Sequence, residues 1–273
     1  MVIFLHFSDI HIPDKQGDLW FGVDPFHKLD NLIEFANKLK LNPSFTIITG
    51  DISHTGTTHS YNNANKYLSK IQNIGGPVFP TMGTHDKRKN FKNILLGEPS
   101  SQEEPACYYS KTIKGLHLIA MDSHTLGSNT GSFSPKQLDW LETELKEHKD
   151  MPAVIAFHEP IFFFGAAGLF NKVDATRFRD IISAGNVLAV LNGHLHCPLY
   201  TVVDGVNYVQ AGSPLWVNYY NETEEKGGRT RATYDSSSFN LLSYNENLPN
   251  RLMVRPVYFS EGQQLVDKTI ETS

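Results

Sequence analysis

The chemistry of this chain is concentrated in five short stretches: Asp9-Ile10-His11, Gly50-Asp51, Gly83-Thr84-His85-Asp86, His158 and Gly193-His194-Leu195-His196. Each supplies carboxylate, hydroxyl or imidazole donors, a set that suits borderline divalent cations. Each also follows a short apolar run, over residues 2–7, 45–49, 78–82, 153–157 and 187–191. Apolar runs of this length read as buried strands. Parallel strands would bring their C-terminal ends to one edge of a sheet, where open α/β folds build their sites. One histidine after a strand means little. Five such groups predict a metal centre.

The elements that must position these groups alternate between strand and helix signals as far as residue 191. Asp24-Pro25 reads as an N-cap followed by proline at the first helical position. Leu29, Leu32, Ile33, Ala36 and Leu39 then recur at helical spacing. A second amphipathic stretch follows Thr58, with Tyr61, Ala64, Tyr67, Leu68 and Ile71 on one face. Ser134-Pro135-Lys136-Gln137 reads as a capping box ahead of Leu138, Leu141 and Leu145. Asp174 reads as the cap of a helix ending near Ser183. Residues 108–122 read as a hairpin turning at Lys114-Gly115, and residues 199–210 as another turning at Asp204-Gly205. The polar stretch 221–238 reads as a long loop, followed by a last hairpin over 240–244 and 252–259. One domain over residues 1–273 is expected, with a hairpin-rich C-terminal portion from about 215.

The ordered pattern D-x-H, G-D, G-N-H-D/E, H, G-H-x-H resembles that of the calcineurin-like metallophosphoesterases, from residue 2 to about 214. Motif spacing is most similar to the cyclic-nucleotide and glycerophosphodiester phosphodiesterase branch. The resemblance implies a four-layer α-β-β-α sandwich of two mixed sheets. It also implies two divalent metal ions, with manganese, iron and zinc all suited to a mixed His/carboxylate site. Asp9, His11 and His196 would hold the first ion and His158 and His194 the second, with Asp51 bridging. The chain departs from the pattern at Thr84, where the family has Asn, and a shorter, weaker donor there predicts a loosely held second metal. His85 takes the place of the general acid, and Asp86 beside it is expected to orient its imidazole. The implied reaction is hydrolysis of a small phosphodiester by in-line attack of metal-bound hydroxide. A phosphomonoesterase, a nuclease and a catalytically silent binding module are the alternatives on the same core.

The remaining histidines read mostly as structural. His6, His117 and His124 lie in apolar surroundings, while His27, His59 and His148 read as solvated helical positions. His54, three residues after Asp51, is a candidate substrate contact. Ser8 and Asn192 are candidate supports for neighbouring ligands. Lys87-Arg88-Lys89 reads either as an attractor for an anionic substrate or as a solvated helix start. The aromatic run 161–170 reads as a substrate wall, a core segment or a homodimer surface. A net charge of −5 argues against a stable nucleic-acid partner, since such readers carry a basic stripe. Two cysteines make no disulfide framework. No apolar run reaches the ~20 residues of a membrane span, and the first residues do not read as a signal peptide. A cytoplasmic location is the expectation.

Overall fold

The computed structural model describes residues 1–101, 105–162, 169–219, 231–248 and 251–261. The first half comprises β1 (Val2–Phe7), α1 (Pro25–Lys38), β2 (Phe45–Thr49), α2 (Thr58–Gln72) and β3 (Val78–Thr81). A short helix α3 (Arg88–Asn90) runs into a π-helical turn over Phe91–Leu96, followed by β4 (Tyr109–Ile113) and β5 (Leu116–Ala120). Then come α4 (Pro135–Glu147), β6 (Ala153–Ala156), α5 (Lys172–Ser183), β7 (Val187–Asn192), β8 (Leu199–Val203) and β9 (Val206–Gln210). The chain continues through β10 (Val217–Tyr219), β11 (Arg231–Thr233), β12 (Ser236–Tyr244) and β13 (Leu252–Ser260).

These strands build two mixed sheets, ordered β13-β12-β1-β2-β3 and β4-β5-β6-β7-β9-β8, with a separate β10-β11 ribbon. Strands β1, β2 and β3 are parallel, as are β5, β6, β7 and β9. Alternation along each strand divides its side chains between two cores. Phe4, Phe45 and Ile47 meet Leu118, Val154, Ala156 and Leu191 between the sheets. On the outer face of the first sheet, Leu5, Phe7 and Ile48 pack against Leu29, Leu32, Tyr61 and Leu68 of α1 and α2. On the outer face of the second, Ile119, Ile155 and Val190 pack against Leu138, Leu141 and Phe178 of α4 and α5. The expected four layers are therefore present, each interface filled by its own apolar cluster.

Local signals explain most boundaries. Asp24 accepts from Phe26 N and His27 N at the start of α1, and Ser134 accepts from Gln137 N at the start of α4. The second half of the expected capping box is absent. Gln137 turns inward, with its Oε1 accepting from Asp122 N and its Nε2 donating to Asp122 O. Asp174 is not the cap of α5. Asn171 accepts from Val173 N and Asp174 N there, leaving Asp174 in the first turn, where its charge suits the helix dipole. Both hairpin turns carry positive φ at each central residue, Lys114 (50°) with Gly115 (80°) and Asp204 (51°) with Gly205 (79°). That is the turn that matches strand twist.

The polar stretch 221–238 is not one loop throughout. Residues 221–230 fall outside the described residues, but Ser236–Tyr244 is β12, paired with β1. Its serines fit a strand because Ser237 and Ser238 are buried, with the Ser237 hydroxyl donating to Pro214 O. Residues 163–168 of the aromatic run also lie outside the described residues. Phe162 packs edge-on to Tyr208 and Phe170 against Phe133, so the ends of that run belong to the core. Among the described residues, no helix is long and apolar enough to cross a membrane.

His6 is structural, as expected. It is fully buried between the sheets, with its Nε2 2.9 Å from Thr49 Oγ1. Burial pushes its pKa from 6.5 down to about 3. The folded value is depressed, so the unfolded chain takes up the proton first, and stability falls as pH drops from 6.5 towards 3. One such proton contributes about 1.4 kcal/mol per pH unit. Replacing His6 by Gln should flatten that slope in urea-unfolding curves of metal-stripped protein between pH 6.5 and 5. Equal slopes in the two proteins would show that His6 does not carry it.

Candidate metal centre

The donor groups sit where five parallel strands end. The segments after β1 and β2 run side by side, with Asp9 N donating to Gly50 O (3.1 Å) and His11 N to Asp51 O (2.9 Å). The other donors follow β3, β6 and β7, and Gly193 N donates to His158 O at 3.0 Å. The backbone is costly to hold this way. Asp9 (φ 54°), His11 (40°), Asp51 (48°), His194 (72°) and His196 (50°) all occupy left-handed conformations. Each costs of order 1 kcal/mol, and such strain concentrates at functional sites. Two glycines allow the close approach. A Cβ on Gly50 would lie 2.5 Å from His158 Nδ1, and one on Gly83 would overlap the Asp51 carboxylate.

Two donor groups result. In the first, His11 Nε2 lies 3.2 Å from His196 Nε2, and Asp9 Oδ1 is 3.5 Å from His196 Nε2 and 3.9 Å from His11 Nε2. In the second, His158 Nε2 lies 3.3 Å from both Asp51 Oδ2 and His194 Nδ1. Donors bound tetrahedrally at zinc-like bond lengths of ~2.0–2.2 Å sit about 3.3–3.6 Å apart, so both groups have the spacing of ligands around an ion. Asp9 Oδ1 is buried without a hydrogen-bond partner, an arrangement that is costly unless a cation is present. Asp51 Oδ2 faces both groups, 3.6 Å from His11 Nε2 and 3.3 Å from His158 Nε2. The residues fit two divalent ions sharing that carboxylate.

Supporting contacts fix the tautomers. Thr49 O accepts from His158 Nδ1 at 2.7 Å, which turns Nε2 and its lone pair into the centre. Ser8 Oγ donates to the same carbonyl, while Asn192 Nδ2 donates to Phe157 O, beside His158. His194 N donates to Asp9 Oδ2, and Ser213 Oγ to Asp9 O. Electrostatics follow from burial. Burial pushes Asp9 up to about 7, and it pushes His194 down to about 4 and His196 to about 3. Burial also opposes the charged forms of Asp51 and His158, but the opposite charges around each, the other partner's foremost, together outweigh it. Asp51 is held well below the carboxylate range and His158 well above that of imidazole.

Thr84, His85 and Asp86 meet the centre differently. Thr84 Oγ1 lies 3.4 and 3.5 Å from the two Asp51 oxygens, longer than a strong O–H···O bond. His85 N donates to Asp51 Oδ1 at 2.8 Å, and His85 Nδ1 donates to His54 O at 2.9 Å. The expectation that Asp86 orients His85 is therefore corrected. Asp86 is fully buried and its oxygens accept from Ile52 N, Ser53 N, Gly83 N and Tyr61 Oη. It ties the Gly50-Asp51 loop to the Gly83–Asp86 loop, and the His54 carbonyl orients the imidazole instead. His54 itself is half-buried, with its ring stacked 5.2 Å from that of His85.

Within the basic group, exposed Lys89 fits a solvated helix start, but Arg88 fits neither reading. It is buried, paired through Nε with Asp122 Oδ2 at 2.6 Å, and bonded through Nη2 to His124 O. It braces Asp122 and so neither faces solvent nor recruits an anion. Elsewhere, His117 Nε2 bonds to Glu144 Oε2 at 3.0 Å, and His148 Nδ1 to Glu144 O. The two rings are stacked at 3.9 Å and 13°, so their lone pairs run nearly parallel rather than meeting at one ion. The sequence reading missed Trp20 and Trp216, which flank His11 and His196. The available signal was a tryptophan at the end of a polar stretch, between the Asp9-Ile10-His11 motif and the first helix.

Comparison with known proteins agrees with this geometry. The chain is 28% identical to a probable cyclic nucleotide phosphodiesterase of Rhodococcus erythropolis, covering 95% of this chain and 85% of that protein. It is also 28% identical to a probable glycerophosphodiester phosphodiesterase of Arcobacter nitrofigilis, covering 78% of each. The solved purple acid phosphatase of yellow lupin superposes with a TM-score of 0.64 at 12% identity, covering 96% of this chain and 52% of the lupin chain. That likeness speaks to fold alone. With residues 3–198 matching the family model of the calcineurin-like phosphoesterases, and the donors of that pattern gathered at one end of both sheets, the chain belongs to that family and is a hydrolytic phosphoesterase.

Proposed function

We propose that this chain hydrolyses small phosphodiesters, of the class represented by cyclic nucleotides and glycerophosphodiesters, at a centre of two divalent ions. The observation that carries the reading is the Asp51 Oδ2 position, 3.6 Å from His11 Nε2 and 3.3 Å from His158 Nε2. Asp9, His11 and His196 would hold one ion and His158 and His194 the other, with the Asp51 carboxylate within reach of both. When bound, such ions supply a nucleophile at neutral pH and offset charge growing on the phosphoryl oxygens. Manganese, iron and zinc all suit these donors. His85 handles the proton. Its Nδ1–H is committed to His54 O, so Nε2 is the atom that delivers a proton to the departing alkoxide. His54 lines the same side and contacts the substituent that leaves. We place the activity in a reducing cytoplasm, which suits a chain whose two cysteines make no disulfide framework.

The test is hydrolysis of bis(p-nitrophenyl) phosphate against p-nitrophenyl phosphate on chelator-stripped protein, with and without Mn²⁺. Metal-restored turnover that favours the diester is expected. Preference for the monoester would put a phosphatase in its place, and no turnover with any metal would leave a binding module.

Thr84 sets the second ion apart. Its hydroxyl is shorter than a carboxamide and leans on Asp51, so that site is the weaker of the two. Calorimetric titration should resolve one tight and one loose site. Thr84→Asn should tighten the loose one by roughly tenfold or more, as a gained neutral oxygen ligand would. Two equally tight sites in the native protein would remove this distinction.

A further inference from the structure

Beside the histidines at the mouth of the centre lies an aromatic surface that the hydrolytic chemistry does not use. Trp20 and Val23 exchange two backbone hydrogen bonds of 2.9 Å, closing a tight turn over Phe21 (φ 48°) and Gly22 (φ 79°). The turn sets the Trp20 ring 4.0 Å from His11, 4.5 Å from His54 and 5.5 Å from His85. Trp216 backs it edge-on at 4.7 Å and stacks on His196 at 4.5 Å. Phe21 extends the surface outward, stacked 5.6 Å from Trp20 and 71% exposed.

Phe21 is the informative residue. A left-handed turn position favours Gly, Asn or Asp, and a phenylalanine there is strained. It recovers little of that cost by burial, because most of its surface faces water. An exposed ring held in a strained turn beside a catalytic centre is what a ligand-stacking position looks like. The ligand must then present a flat π face on the His85 side. In a cyclic nucleotide the departing oxygen stays attached to the nucleoside, so the base remains on that side. A glycerol substituent would need hydrogen-bond partners that the faces of Trp20 and Phe21 do not offer.

We propose that Trp20 and Phe21 form a stacking platform for the heterocyclic base of the substrate, making nucleotide diesters the preferred class over glycerol diesters. The proposal rests on the phosphodiesterase reading and narrows it. Stacking of a base on an aromatic side chain is tolerant of sequence, so the platform favours nucleotides as a class without choosing adenine over guanine.

The experiment compares kcat/KM of the Mn²⁺-loaded protein for 3′,5′-cyclic AMP and for glycerophosphocholine. Phe21→Asn, which suits the turn, and Trp20→Leu should each lower the ratio of the two by about tenfold or more, through a higher KM for the nucleotide. A second readout is independent of turnover. Intrinsic fluorescence of the loaded protein should be quenched by 5′-AMP but not by equal ribose 5-phosphate, and Trp20→Leu should abolish the difference. An unchanged ratio in both variants, or equal binding of the two phosphates, would overturn the platform. Failure of the native protein to cleave any diester would instead overturn the phosphodiesterase reading, while the fluorescence comparison still judged the platform.

Discussion

Asp51→Asn should cost the centre at least one ion and lower turnover by at least ~10³-fold, because one carboxylate serves both donor groups and the ions it would hold offset the charge growing on the phosphoryl oxygens. Asn cannot substitute, for a geometric reason. Asp51 Oδ1 already accepts from His85 N at 2.8 Å, while Oδ2 faces His11 and His158. An amide keeps one oxygen. If it faces the ions, its NH₂ meets the His85 N–H donor; if it faces that donor, its NH₂ meets the ions. Metal analysis of the purified variant should therefore find one ion or fewer per chain, against two in the native protein. His158 should respond as well. Its pKa is held up chiefly against burial by the Asp51 charge, so the variant should show a lower imidazole pKa by NMR titration of metal-free protein. Full metal content with near-native turnover would mean that another group bridges the ions.

His85→Ala should separate metal binding from proton delivery. His85 is not a member of either bridged donor group; its backbone N–H holds Asp51, and that bond survives truncation to Ala. Metal content should stay at the native value. Turnover of a diester with an alkoxide leaving group should fall ~10²–10⁴-fold, the usual contribution of a positioned general acid. Bis(p-nitrophenyl) phosphate should lose much less, because p-nitrophenolate departs without needing a proton. An equal loss on both substrates would argue that His85 binds the phosphoryl group and leaves the departing oxygen alone. The His54 carbonyl, which fixes the ring through Nδ1, makes the same test sensitive to backbone position. A proline at position 55 or a deletion nearby should mimic part of the His85 loss.

The strands, the turn residues and the candidate donor set were legible because each depends on short-range pattern. Apolar runs mark buried strands, Asp24-Pro25 and Ser134 mark helix starts, and Lys114-Gly115 marks a twist-matched turn. Asp9, His11, Asp51, His158, His194 and His196 could be singled out as candidate donors because each lies just after such a strand, in the order of the family pattern. The misreadings share a different origin. Asp174, Gln137, Asp86 and Arg88 are polar residues whose partners are set by tertiary contacts, and local pattern assigned each a local role. Asn171 outcompeted Asp174 as cap, Gln137 found the Asp122 backbone, and Asp86 found four donors from two other segments and its own loop.

By itself, then, the sequence carried the family resemblance, and through it the layer order and the candidate metal-binding side chains. Strand and helix positions follow from periodicity, while the layers and the ligand roles are what the ordered motif pattern implies, and both survive without knowledge of distant contacts. Only the tertiary structure decided how closely the donors of each group approach, that Asp51 Oδ2 stands between the two groups, and that a peptide carbonyl orients His85. It alone brought Trp20, Phe21 and Trp216 beside the centre. The physical reason is that a hydrogen bond or a shared ligand depends on distances of a few ångströms between residues far apart in the chain, here 185 positions for His11 and His196.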